Sequence, residues 1–275
     1  MTETETIALP GGGKARVVTN VPLAGNKTVD RAVVVVHGTD RNAHDYYARM
    51  RTAARKAGVE VRTAVLAPWF DKAWPDTWKQ GGLSGGVSSF EVVDQLLALL
   101  ADPRLFPNVV RVTVAGHSAG AQFTQRHAVF GAAPTRLPVN WLVANPSSFV
   151  YLDGWRPAPT KGCSSYNKYK YGLDRRPPGY VAALTDQQAR SRYTGRAVTV
   201  ANGGDDVTDD GDLDTSCAAN TQGPHRLARG RAFTDRVRLL YPDAPHSYVV
   251  VPGVGHDSAR MFQHSSLRPA LFGVR

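Results

Sequence analysis

The 275-residue chain has only two cysteines, Cys163 and Cys217, so it cannot be a disulfide-built scaffold and can form at most one bridge. No apolar run approaches the roughly 20 residues that span a bilayer, which excludes a transmembrane helix. Internal repeats and low-complexity tracts are missing too, so solenoids and linker arrays drop out. The opening Met1-Thr2-Glu3-Thr4-Glu5 lacks the basic end and apolar stretch of a signal peptide. That leaves a cytosolic protein, or a mature secreted one without its leader. Basic clusters are also scarce. Lysine and arginine number 33 against 23 acids, a formal net charge of +10, yet no basic run is longer than Arg175-Arg176. A scattered surplus describes a basic surface, whereas nucleic-acid binding needs a basic stripe or a recognition motif. Neither is present. At 42% hydrophobic and 20% charged, the composition is that of an ordinary globular protein with a sizeable core.

What the chain does contain is a series of short β-branched runs bounded by turn residues. They are Ala32 to Val36, Val61 to Leu66, Val109 to Ala115, Trp141 to Ala144, Ala197 to Ala201 and Tyr248 to Val251. Near-continuous valine without polar alternation marks strands buried on both faces of a parallel sheet. Helix-like segments lie between them: Ala43 to Ala57, Phe90 to Leu100, Ala119 to Phe130 and Leu227 to Leu240. The alternation predicts an α/β fold with helices on both sheet faces. Two earlier runs, about Thr6 to Leu9 and Ala15 to Val18, suit an antiparallel edge. From about 146 to 195 the rhythm fails and Pro, Gly, Tyr and Arg dominate. Such a stretch inside one domain reads as a cap-like insertion over a site.

Gly-x-Ser-x-Gly occurs twice. Around Ser84 it sits among glycines with no strand or stiff helix beside it, and reads as a flexible loop. Gly116-His117-Ser118-Ala119-Gly120 follows a strand and opens a helix, which is the context a nucleophile elbow requires. The flanking glycines allow a sharp turn, and the Ala119 amide at the helix start faces developing negative charge. His117 is expected to face away from the elbow. A serine nucleophile needs a base. His256, in the loop beyond the last strand, is the histidine best placed over the sheet's carboxyl edge. The acid should fall between serine and histidine. Asp206, three residues after Gly203, is preferred, with Asp205 as rival and Asp209 as outsider. The crowded acidic loop also invites a calcium reading, but its register puts Thr208 and Cys217 where ligands belong, so an EF-hand fails and no metal is expected. After the first buried strand, Gly38 leaves room for a substrate carbonyl and Thr39 supplies the second oxyanion amide.

With His37-Gly38, the Ser118 elbow and Gly255-His256, the sequence resembles the α/β-hydrolase superfamily over most of its length. The phrases Gly116 to Gln122, Ala144 to Ser148 and Asn167 to Leu173 are similar to a branch near polyhydroxyalkanoate-depolymerase-like and feruloyl-esterase-like enzymes. The resemblance implies carboxylic ester hydrolysis by Ser118 and His256, on a small or polymeric ester, with no cofactor. An amidase or peptidase would use the same triad, and a non-catalytic binding protein on this fold is a further alternative. Loop aromatics, Trp78, Tyr151 and Tyr169 among them, are expected to line the substrate pocket. Cys163 and Cys217, both in polar loops, are expected to pair and tie the insertion to the acid loop. A bridge implies a secreted or periplasmic location in place of a cytoplasmic one.

Overall fold

Every valine of β3 (Arg31–Val36) is buried, and this decides the architecture. Val34 and Val36 face one core with Leu96 and Phe123, while Val33 and Val35 face a second with Met50 and Phe262. A strand with two apolar faces needs a layer on each side. The computed structural model describes residues 3–133 and 136–274. In chain order the elements are β1 (Glu3–Ala8), β2 (Lys14–Thr19), β3, α1 (Ala43–Lys56), β4 (Thr63–Pro68), β5 (Leu83–Ser84), β6 (Val87–Ser88), α2 (Ser89–Ala101), β7 (Arg111–His117), α3 (Ala119–Phe130) and β8 (Val139–Ala144). They continue with α4 (Asp186–Thr194), β9 (Ala197–Gly203), α5 (Cys217–Asn220), α6 (Arg226–Leu240), β10 (His246–Val251), α7 (Ser258–Gln263) and α8 (Arg268–Phe272).

The main sheet has eight strands in the order β1-β2-β4-β3-β7-β8-β9-β10. The β1–β2 and β2–β4 pairs are antiparallel, as the edge reading anticipates, and the others are parallel. Parallel pairing brings the carboxyl ends of β3, β7, β8 and β9 to one edge, where ligands of open α/β sheets bind. No helix among the described residues is long and apolar enough to cross a membrane.

Two local readings need correction. The stretch around Ser84 is a hairpin, β5–β6, turned by Gly85 and Gly86 with φ of 56° and 83°. A Gly-Gly pair supplies the positive φ that a two-residue hairpin turn demands. The 146–195 stretch holds a helix, α4, started by a capping box of Thr185 and Gln188. Its remaining backbone is organised by arginines. The Arg156 guanidinium donates to the carbonyls of Asp153, Trp155, Tyr166 and Tyr171, and Arg126, fully buried, reaches those of Lys79 and Lys170. Cys163 and Cys217 are bridged, with Cα atoms 5.8 Å apart.

Candidate active site

Ser118 stands between β7 and α3 with φ 58° and ψ −120°. A non-glycine residue in the left-handed region is strained and is kept only where its surroundings over-determine it. The flanking glycines serve close approach, not the turn itself. A Cβ on Gly116 would lie 2.2 Å from the Gly120 carbonyl oxygen, and one on Gly120 would lie 2.2 Å from that of Val36. The start of α3 is thus pressed onto β3 and β7, and its first N–H groups, without intrahelical acceptors, face the same edge.

The histidine loop follows β10. His256 Nδ1 lies 2.8 Å from Asp206 Oδ2, which leaves Nε2 for a reacting group. Asp206 is 2% exposed, whereas Asp205 points to solvent and only its backbone N–H is held, by the Val254 carbonyl. The turn that separates them closes with the Asp206 N–H donating to the Gly203 carbonyl. Ser118, His256, Gly38 and Thr39 line one cavity of about 440 Å³, together with Tyr46, Arg49 and Asp212. A larger cavity of about 830 Å³ lies by the opening residues of β7, β8 and β9, away from these side chains.

His117 does not face away. Residues of β7 alternate between the two cores, with Ala115 on the side of α1 and α7, so His117 projects the same way. Its ring sits 4.5 Å from that of His256, and its Nδ1 is 3.5 Å from the Tyr46 hydroxyl. Burial, then the charges of His256, Arg226 and Arg49, hold it far below the usual histidine range, so it is neutral. Gly38 makes room for Tyr46: a Cβ there would lie 2.7 Å from the Tyr46 hydroxyl oxygen. Burial pushes that phenol up to about 12.

Asn145 directly follows β8, within the Ala144 to Ser148 phrase. It is fully buried, with φ 52°. Its Oδ1 accepts from the Gly203 N–H at 2.8 Å, and its Nδ2 reaches His117 Nε2 and the Gly255 carbonyl, both at 3.3 Å. One amide therefore ties the serine strand, the acid strand and the histidine loop. The post-strand Asn-Pro was the only signal for it.

The aromatic residues expected to line the pocket lie elsewhere. Trp78 is 2% exposed and stacks on Phe70 at 5.3 Å. Tyr151 is 1% exposed, edge-on to Phe233, and the Tyr169 hydroxyl donates to the Gln80 carbonyl at 2.5 Å. Tyr169 borders a separate cavity of about 210 Å³. Their apolar area packs the 146–195 segment against the rest of the chain. No residue from 146 to 195 lines the cavity at Ser118. The Ser84 hydroxyl donates to the Ala73 carbonyl, and Ser84 is remote from that cavity too. Among the described residues, no group of three or more His, Cys, Asp or Glu is arranged to hold a metal ion.

No protein-family model matches the chain, and no curated protein matches it. Among solved structures it is similar to LpqC, a poly(3-hydroxybutyrate) depolymerase from Bordetella parapertussis. The identity is 23% and the TM-score 0.71, covering 98% of this chain and 89% of that one. Poly(aspartic acid) hydrolase-1 from Sphingomonas sp. KT-1 aligns with 23% identity and a TM-score of 0.71, covering 95% and 96%. The esterase Pf2001 of Pyrococcus furiosus aligns with 15% identity and a TM-score of 0.51, covering 95% and 86%. With the eight-stranded sheet and the strand–turn–helix at Ser118, these likenesses define an α/β-hydrolase fold.

Proposed function

We propose that the chain is a serine hydrolase acting on carboxylic esters. The observation that carries this is the buried Asp206 carboxylate 2.8 Å from His256 Nδ1, beside a cavity that Ser118 enters from a strained turn. Ser118 Oγ attacks the ester carbonyl carbon while Nε2 of His256 takes the hydroxyl proton. Asp206 orients the imidazole and balances its charge. The amides of Thr39 and Ala119 receive the oxyanion. As the tetrahedral intermediate collapses, the C–O bond to the alcohol breaks and the imidazolium returns its proton to the leaving oxygen. Water, deprotonated by the same imidazole, then attacks the acyl-serine and releases the carboxylic acid. No step calls for a cofactor.

An amide-cleaving reading stands beside the first, favoured by the likeness to a poly(aspartic acid) hydrolase. The same triad serves both. The disulfide supports a working place outside the reducing cytosol. Hydrolysis of acyl esters of graded length, alongside matched anilides, tests the function. Ester turnover that disappears in Ser118→Ala is expected. Anilides cleaved as readily as esters would move the chain to the second reading.

A further inference from the structure

The imidazole of His256 has a second carboxylate beside it. Asp210 Oδ2 lies 4.0 Å from Nε2, whereas Asp206 Oδ2 holds Nδ1 at 2.8 Å. Both carboxylates are held by one guanidinium. Arg226 Nη1 donates to Asp206 Oδ1 at 3.2 Å and to Asp210 Oδ2 at 3.1 Å, and Nη2 donates to Asp210 Oδ1 at 2.9 Å. Arg226 is fully buried in the first turn of α6, where the helix dipole disfavours a cation. Its placement there is accounted for by the two carboxylates. Burial works against ionised Asp210. The Arg226 hydrogen bond and charge, the charge of His256 and the Asp212 N–H outweigh it and hold that carboxyl below the ordinary carboxylate range.

Two carboxylates and one guanidinium carry a net single negative charge, which an imidazolium cancels. Asp210 does not itself line the cavity, but its carboxylate lies within 4.0 Å of Nε2, and the cavity lining adds the carboxylates of Asp40, Asp212 and Asp257. In ester hydrolysis the leaving alcohol departs beside Nε2, because that atom returns its proton. On the reading of Ser118, His256 and Asp206 as a triad, we propose that Asp210 is a specificity-determining and positioning residue. It stabilises the imidazolium from the Nε2 side and makes the site favour neutral or cationic leaving groups over anionic ones. The other titratable or charged groups facing the ring or the cavity are the neutral His117, the Tyr46 phenol, the carboxylates of Asp206, Asp212, Asp257 and Asp40, and the cation Arg49. Arg49 is turned to Ser258, with Nη1 2.7 Å from its Oγ.

The experiment uses two esters with the same short acyl group, whose phenol bears either a meta-trimethylammonium or a meta-sulfonate. Loss of turnover in Ser118→Ala is established first, so that failure of the triad is seen separately. Wild type is expected to show higher kcat/KM for the cationic ester by about tenfold, the order of one charge pair near a protein surface. High salt should narrow the gap. In Asp210→Asn the preference should shrink by several-fold, and the acid limb of kcat/KM should move to lower pH as the imidazolium loses a partner. Wild type without the preference overturns the proposal, and so does an Asp210→Asn that slows both esters equally with an unmoved limb. The salt series on wild type reads the same charge effect without any variant.

Discussion

Asp205 and Asp206 are neighbours in sequence, and pattern alone leaves both open as the acid. Backbone geometry separates them: the turn after Gly203 sends Asp206 inward to His256 and Arg226 and leaves Asp205 in solvent. With Asp206 as the acid of the proposed triad, Asp206→Asn removes the charge that balances an imidazolium and upsets the tautomer. It should lower kcat by about 10⁴, while Asp205→Asn should stay within a few-fold, as steady-state ester hydrolysis will read. The turn that holds Ser118 and the loop that holds His256 were legible because strand and turn signals surround them. The contacts of Asn145, Asp210 and Arg226 were not, because they reach neighbours 16 to 110 residues away in sequence, which no local pattern encodes. The aromatic residues failed as pocket markers for a related reason. Ring type signals burial, and whether a ring meets core or ligand is a tertiary matter.

At the scale of elements, the buried strands were readable from continuous valine runs, and the helices from the helix-like segments between them. Short pieces such as α5 and α7 carry too little periodicity to be seen, although the Thr185-x-x-Gln188 box of α4 was there to be noticed. His37 shows how one strand end is fixed. Its Nε2 accepts from the Phe70 N–H at 3.0 Å and its Nδ1 donates to the Gly38 carbonyl at 2.9 Å, so the ring must be neutral. Burial lowers it to about 4, against an ordinary 6.5. A depressed folded-state value means the unfolded chain binds the proton first. The contribution of His37 is therefore complete above pH 6.5 and is lost as pH falls toward 4. Denaturant titrations at pH 7 and pH 4 should show a loss of about 3 kcal/mol from this residue, absent in His37→Gln.

Across the whole molecule, the basic surplus has an internal use. Arg126, Arg226 and Arg229 are among the largest fully buried side chains, and their guanidinium groups satisfy carbonyls and carboxylates of long loops. Net charge reads as surface in a sequence, which is why this use was not legible. The Cys163–Cys217 bridge closes a separation of 54 residues between the 146–195 segment and the start of α5. In the chain-entropy model that constraint contributes about 4 kcal/mol. The Cys163→Ser, Cys217→Ser double variant should lose about that much in denaturant unfolding, and its kcat should fall as the loop of Asp206 loosens. Unchanged unfolding would mean the bridge adds nothing.

Ser118 as nucleophile is tested by treating the native protein with a fluorophosphonate and mapping the modified peptide by mass spectrometry. A single adduct at Ser118 is expected, lost in Ser118→Ala and slowed in Asp206→Asn. An adduct at Ser84, or none at Ser118 in a protein that hydrolyses esters, would contradict it.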